Sequence, residues 1–373
     1  MPAVSIIVPI FNGIRYLPAF FESLARAVPP SAELILVDDA STEPVFDALP
    51  SDYPVTSIMK LKLAQNQGYS AAVNHGFARA SGDILIQLNT DLVLDLRCID
   101  AMLHLIDSTS QVGIVGSKQL FPTTGLVRHI GMAFGRYSHR HIYAGLPADH
   151  PLCCKTRPMQ IVSGATAAMA RTLLNEIGPL DENYYNTQEN LDHCLKAHAR
   201  GFINYTCADS IVYHWVGQSG PARYARAEEG EAYFWSQWVS SRTIDLPRFV
   251  DEALDQLLDA HPRLSSYNFE ALNLCRSSDD QLLYECLERR WPDCGIRGHT
   301  TQAFNSATTK LWLPMELPHW AMSNPSPYVY LVDRLSQLAE NRMWFEARHR
   351  IVEEEIVLDA RAGALTSHEL LAL

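Results

Sequence analysis

Along the first half of the chain, short apolar runs that close on polar residues alternate with stretches whose apolar positions recur at helical spacing. Val4–Ile10 is a β-rich run with Pro9 near its end, where a strand tolerates a missing amide donor. Phe11-Asn12-Gly13 follows as a turn. Arg15–Ala27 then places Leu17, Phe20, Phe21 and Leu24 on one helical face, and Pro29-Pro30 stops it. Leu34-Ile35-Leu36-Val37 forms a second strand that closes on Asp38-Asp39. Strand, helix, strand predicts a βαβ unit and a parallel sheet. Val55–Leu63 reads as a third strand and Ser70–Ala80 as a helix of small residues. Ile84-Leu85-Ile86-Gln87-Leu88 then reads as a buried strand ending in Asn89-Thr90-Asp91.

In a parallel sheet these polar strand ends share one edge, where ligands bind. Asp39 is suited to accept from a base N–H, and Asp91 to ligate a hard divalent ion near a diphosphate. No GxGxxG follows the first strand and no GxxxxGK[ST] occurs, which disfavours dinucleotide oxidoreductases and P-loop NTPases. A formal charge of -12 argues against a nucleic-acid partner. With 47% apolar and 19% charged residues, the 373-residue chain reads as a folded, soluble protein of two or three domains. The N-terminus lacks the basic flank of a signal peptide, and no apolar run approaches the ~20 residues of a membrane span. The eight cysteines lack zinc-like spacing. Reduced thiols in a cytoplasmic protein are the expectation, compatible with peripheral association at the inner face of the membrane.

Further on, Val112–Gly116 is strand-like and Phe121–Gly135 has hairpin character. His139, His141 and His150 lie in a segment read either as an acceptor-facing loop or as a surface excursion. Thr187 is expected to cap a helix that Gly201 ends, with Glu189 and Asp192 suiting its positive N-terminus. Ile211–His214 is a strand followed by a Gly/Ser loop, and Arg223 and Arg226 read either as a diphosphate clamp or as a solvated basic turn. Beyond residue 245, Arg248–Ala260, Asp279–Trp291 and Pro327–Leu358 carry helical periodicity. A domain over 1–245 and a mainly helical extension over 246–373 are therefore expected, the latter a candidate surface for homo-oligomers. Trp291, Trp312, Trp320 and Trp344 read as core first and as an aromatic acceptor platform second.

Four stretches, in this order and spacing, resemble the family 2 glycosyltransferases. They are Val4–Asn12, Val37–Ser41, Asn66–Gly76 and Ala80–Asp91. Within that family the similarity is to the rhamnosyltransferase-like branch of polysaccharide assembly. The resemblance implies an α/β GT-A fold, a Rossmann-like mixed sheet flanked by helices. It also implies a dTDP-, UDP- or GDP-sugar donor, Mn2+ or Mg2+, inversion at the anomeric carbon, and a carbohydrate, lipid-linked or protein acceptor. Carried over by residue, Pro9, Phe11 and Asn12 line base and ribose, Asp39 binds the base with Asn66 and Gly68 in the adjoining turn, and Asn74 lies near sugar or phosphates. Asn89-Thr90-Asp91 holds the D-x-D position with Asn89 replacing the first acid, Ser163-Gly164 contacts the donor sugar, and His214 joins Asp91 at the metal. The family's Glu-Asp-x-Asp helix start is here Glu189-Asn190-Leu191-Asp192. Its usual general base is thus an amide, which takes up no proton near neutral pH. Glu189, Asp192 or Asp181 is left to substitute. A second reading follows from Asn190 and Asn89, a catalytically impaired nucleotide-sugar-binding scaffold. A nucleotidyltransferase is disfavoured by the absence of a basic, Gly-rich phosphate loop after the first strand.

Overall fold

The computed structural model describes residues 3–50, 53, 55–217, 226–275, 279–298, 317, 321–339 and 341–373. It divides into two compact units, residues 1–132 with 154–242, and residues 133–153 with 243–373. The second unit thus takes in an internal segment as well as the C-terminal third.

The strands run β1 (Val4–Ile10), β2 (Glu33–Asp38), β3 (Ser57–Lys62), β4 (Ile84–Leu88), β5 (Leu92–Leu94), β6 (Val112–Leu120) and β7 (Val127–His129). A separate two-stranded ribbon, β8 (Met132–Phe134) with β9 (His139–His141), precedes β10 (Arg157–Met159), β11 (Thr166–Ala170) and β12 (Ile203–His214). The main sheet has the order β10-β12-β6-β11-β4-β1-β2-β3, with β5 on β12 and β7 on β6. Its pairs β1–β2, β1–β4, β2–β3 and β6–β12 are parallel, whereas β11 is antiparallel to both β4 and β6. The expected α/β architecture, a mixed sheet flanked by helices, is the one observed.

The first unit's helices are α1 (Leu17–Ala27), α2 (Tyr69–Phe77), α3 (Cys98–Ser108), α4 (Arg171–Ile177), α5 (Glu189–Ala199) and α6 (Ala227–Trp238). Alternation along β1 sends Val4, Ile6, Val8 and Ile10 to the face where α1 buries Leu17, Phe20, Phe21 and Leu24. Burying each of these large α1 side chains contributes about 1.5–3 kcal/mol. On the opposite face Ile35 and Val37 meet Ala72 of α2. The small residues of α2 serve this approach, since a Cβ on Gly76 would lie 2.3 Å from Ile7 Cγ2.

The second unit contains α7 (Leu246–Ala260), β13 (Glu270–Asn273), α8 (Asp280–Arg290), β14 (Gly295–Gly298), β15 (Tyr328–Val332), α9 (Ser336–Ala339), α10 (Arg342–Arg348), β16 (Ile356–Asp359), β17 (Ala364–Thr366) and α11 (Ser367–Ala372). The helices expected over Arg248–Ala260 and Asp279–Trp291 are present, whereas Pro327–Leu358 opens in β15, carries only the short α9 and α10 and closes in β16. These strands belong to a five-stranded sheet, order β14-β13-β15-β16-β17, that helical periodicity did not reveal. Tyr328–Val332 and Ile356–Asp359 are buried at every position, so neither shows the alternation of a half-exposed strand. Arg348 and Glu355 form a fully buried ion pair at 2.7 Å, completed by the Tyr328 amide and the Tyr330 hydroxyl donating to Glu355. Trp291 and Trp344 are core residues, donating through Nε1 to Leu264 O and to the Tyr330 hydroxyl. Trp312 and Trp320 lie outside the described residues, as does Arg223.

Candidate active site

Because β1 is parallel to β2 and β4, the loops after all three open at one edge of the sheet. β11 runs the other way and begins there, with Thr166 opposite Leu88 and the Asn89 amide donating to Ala165 O at 2.9 Å. β12 ends there beside β5, where His214 pairs with Leu92. Asn12, Asp38-Asp39, Asn89-Thr90-Asp91, Ser163-Gly164 and His214 therefore gather on one rim. With strands about 4.8 Å apart and β1 between β2 and β4, Asp39 and Asn89 sit about 10 Å apart across it. Non-glycine residues with positive φ mark the same loops, at Asn12 (54°), Ala40 (57°), Gln188 (68°) and Val216 (54°). Left-handed backbone at a β-branched residue such as Val216 is strained.

Several of the expected donor-site residues use their side chains to join loops. Asn12 Oδ1 accepts from the Thr42 amide (2.9 Å), the Thr42 hydroxyl (3.1 Å) and the Glu43 amide (3.2 Å). Asp39 accepts the Gln67 amide at 2.7 Å on one oxygen and the Gly68 amide at 2.9 Å on the other. Burial raises its pKa from the ordinary aspartate value, against the lowering effect of those two amides. Asn66 donates to Asp39 O at 3.1 Å and accepts from the Tyr185 hydroxyl. Asn74 clamps the loop before α5, donating to Leu180 O and Glu182 Oε1 and accepting from the Leu180 amide. Pro9 is buried within β1 opposite Val37, while Phe11 and Thr90 are half-buried at the rim.

Asp91 Oδ1 and His214 Nε2 face each other at 3.2 Å, both residues buried. Gln119 Oε1 lies 2.9 Å from His214 Nδ1 and accepts from Arg128 Nη1 at 2.7 Å. That acceptor puts the imidazole proton on Nδ1 and turns the Nε2 lone pair toward the carboxylate, as in a histidine oriented to ligate a metal. Among the described residues no set of three His, Cys, Asp or Glu side chains gathers around one point. His139, His141 and His150 form no such cluster among the described residues.

At the start of α5 the cap is Gln188 in the left-handed region, not Thr187 as expected, and it makes no side-chain cap hydrogen bond. Gly201 ends the helix region with φ 86°, its amide donating to His198 O at 3.0 Å. Asp192 is buried and held from two sides, by Trp238 Nε1 at 2.9 Å and Lys196 Nζ at 2.7 Å. Asp181 accepts from Asn183 and from the Tyr233 hydroxyl. Arg226 lies 5.8 Å from the Tyr185 ring and pairs with the exposed Glu229. Glu189 stands at the first turn of α5, 7% exposed, its Oε1 accepting from Asn190 Nδ2 at 2.8 Å.

Residues 5–178 match the model of the glycosyl transferase family 2. Over those residues the chain is similar to the family 2 glycosyltransferases. Over 251 residues it is 29% identical to the O-antigen biosynthesis protein RfbC of Myxococcus xanthus, covering 65% of this chain and 19% of that one. Over 94 residues it is 34% identical to the undecaprenyl-phosphate 4-deoxy-4-formamido-L-arabinose transferase of Serratia proteamaculans, covering 24% of this chain and 29% of that one. The chain thus spans less than a third of the length of these relatives. It is also similar to the solved mannosyltransferase PcManGT of Pyrobaculum calidifontis in complex with GDP-Man and Mn2+, at 17% identity and a TM-score of 0.48, over 77% of this chain and 73% of that one.

Two polar residues of the matched stretch escaped the sequence reading. Gln87 lies inside an apolar run and is 1% exposed, and its Nε2 donates to Gly164 O at 2.9 Å and to Asn190 Oδ1 at 2.6 Å. Gln119 sits in β6 and orients His214. The available signal was the same for both, a polar side chain within a strand, which when buried must find partners.

Proposed function

We propose that this chain transfers a sugar from a nucleotide-diphosphate donor to a hydroxyl acceptor, with inversion, using a divalent ion held at Asp91 and His214. The Asp91–His214 pair carries this reading. Ligand atoms in adjacent positions at about 2.1 Å from one octahedral ion lie about 3.0 Å apart, close to the 3.2 Å observed. Two protein ligands suit Mg2+ or Mn2+, which take their remaining oxygens from substrate phosphate and water. When bound, such an ion supplies Lewis-acid stabilisation of charge on the departing diphosphate.

The chain's own groups supply the rest. The rim from Asp39 to Asn89 is long enough for a nucleoside diphosphate laid across the strand ends. Glu189 is the base in this reading. Asp192 is committed to Lys196 and Trp238, whereas Glu189, at the first turn of α5, accepts on Oε1 from the neutral Asn190 amide. The acceptor oxygen bonds to the anomeric carbon, the bond to the diphosphate oxygen breaks, and the hydroxyl proton passes to Glu189 Oε. The named relatives favour a carbohydrate or lipid-linked acceptor in polysaccharide assembly.

Asn190 keeps the scaffold reading in play, and one experiment separates the two. Thermal shift with UDP-, GDP- and dTDP-sugars, with and without Mn2+, finds the donor, since ligand at ~100 times Kd stabilises by ~2.7 kcal/mol. Nucleotide release from that donor, lost in Asp91→Asn, supports the enzyme. Tight binding with no release above the uncatalysed rate supports the scaffold.

A further inference from the structure

We infer that Gln87 is a positioning residue for the base, acting on Glu189 through the carboxamide of Asn190; this rests on the reading of Glu189 as that base. Gly164 O is a backbone carbonyl and can only accept. Gln87 lies 2.9 Å from it, so the nitrogen of the Gln87 amide must face it. The same nitrogen lies 2.6 Å from Asn190, so Asn190 presents its oxygen there and its Nδ2 to Glu189 Oε1 at 2.8 Å. One fixed acceptor therefore sets the polarity of the whole chain, from Gly164 O through Gln87 and Asn190 to Glu189.

The packing leaves the Asn190 amide little freedom. A Cβ on Gly164 would lie 1.8 Å from Asn190 Cγ, so the carboxamide lies flat against the glycine. Gln87, Gly164, Asn190, His193 and Cys194 line a pocket too narrow for a water molecule. The price is visible in Gln87 Oε1, which is buried with no hydrogen-bond partner. A leucine at 87 would avoid that cost but would take the donor away from Gly164 O and Asn190 Oδ1. Its nitrogen is what the site uses. Asn190 orients the Glu189 carboxylate through a neutral amide and adds no charge of its own.

The test is a mutant cycle on nucleotide release from the donor found by thermal shift, in the full chain with Mn2+. Glu189→Ala should lower donor hydrolysis by about 10²–10⁴, the usual worth of general-base catalysis. Gln87→Met should lower kcat by about tenfold or more, with donor affinity of the folded protein near wild type. In the Glu189→Ala background, azide replaces water as a nucleophile that needs no deprotonation. Its nitrogen bonds to the anomeric carbon and the nucleoside diphosphate leaves with the electron pair, so release stays measurable. There Gln87→Met should change the azide rate by less than twofold, because the group it positions is gone. An equal loss in both backgrounds, or no loss in the wild-type background, overturns the inference while leaving Glu189 as base. Wild-type hydrolysis by Glu189→Ala overturns the base reading itself. Should Gln87→Met fail to fold, Asn190→Ala breaks the same link and must show the same non-additivity.

Discussion

Asn190→Asp restores the residue that the family's motif carries at this position, and the structure predicts that it harms the protein. The substitution replaces Nδ2, which donates to Glu189 at 2.8 Å, with a carboxylate oxygen. Two unit charges at that separation repel by about 6 kcal/mol at an effective dielectric of 20. Protonating one of them costs about 1.36 kcal/mol per pH unit above its ordinary pKa near 4, or about 4 kcal/mol at pH 7. Protonation is the cheaper escape, so the pair shares a proton at neutral pH and titrates as a unit. The folded state then holds a proton that the unfolded chain has released. Stability relative to wild type should therefore be near parity at pH 4 and fall as pH rises, by about 1.4 kcal/mol at pH 5 and up to about 4 kcal/mol at pH 7. Urea denaturation from pH 5 to 8 measures the difference, and donor hydrolysis at pH 7 should drop at least tenfold in the same variant. A variant as stable as wild type across that range and faster in hydrolysis would refute the reasoning and make position 190 a latent base.

Gly164→Ala must push the Asn190 carboxamide aside, since its Cβ would fall 1.8 Å from Asn190 Cγ; a loss of about 1–3 kcal/mol in urea denaturation and at least tenfold in hydrolysis is expected. Asn74→Ala should cost about 2–3 kcal/mol by removing its bonds to Leu180 and Glu182, while calorimetry finds donor affinity unchanged in the folded protein. Burial holds the His129 imidazole down to about 3 and that of His193 down to about 4, so both are neutral in the fold. An unfolded imidazole takes up its proton near pH 6.5, so stability should fall as pH drops below that value. Each contributes about 2 kcal/mol of loss by pH 5. Imidazole NMR signals that titrate above pH 6 for these residues would contradict this.

The rim of the site was legible because short apolar runs ending in Asn12, Asp38-Asp39 and Asn89–Asp91 name both the strands and their shared edge. What those residues do there was less legible. Periodicity tells which end of a strand a side chain occupies, not which partner it meets. Asn12, Asn66 and Asn74 match the motif, yet each spends its amide on a neighbouring loop. Gln87 was hidden for the opposite reason, as one polar letter in a run otherwise read by its hydrophobicity. In the second unit, Leu331 fell at helical spacing with Leu335 and Leu338, but Tyr328–Val332 is buried on both faces and pairs as a strand. A fully buried strand and a buried helical turn look alike over five residues, and only the neighbours that cover them decide. Among the described residues no helix is long and apolar enough to cross a membrane.

The most direct test of the metal-held diphosphate is Mn2+ binding followed by loss of the free-ion electron paramagnetic resonance signal, titrated with protein in the presence of UDP, GDP or dTDP. With the nucleotide that fits, wild-type protein should take up one Mn2+ per chain, and Asp91→Asn should leave the signal near that of free ion. Equal uptake by both proteins, or none by wild type with any of the three nucleotides, would contradict the account.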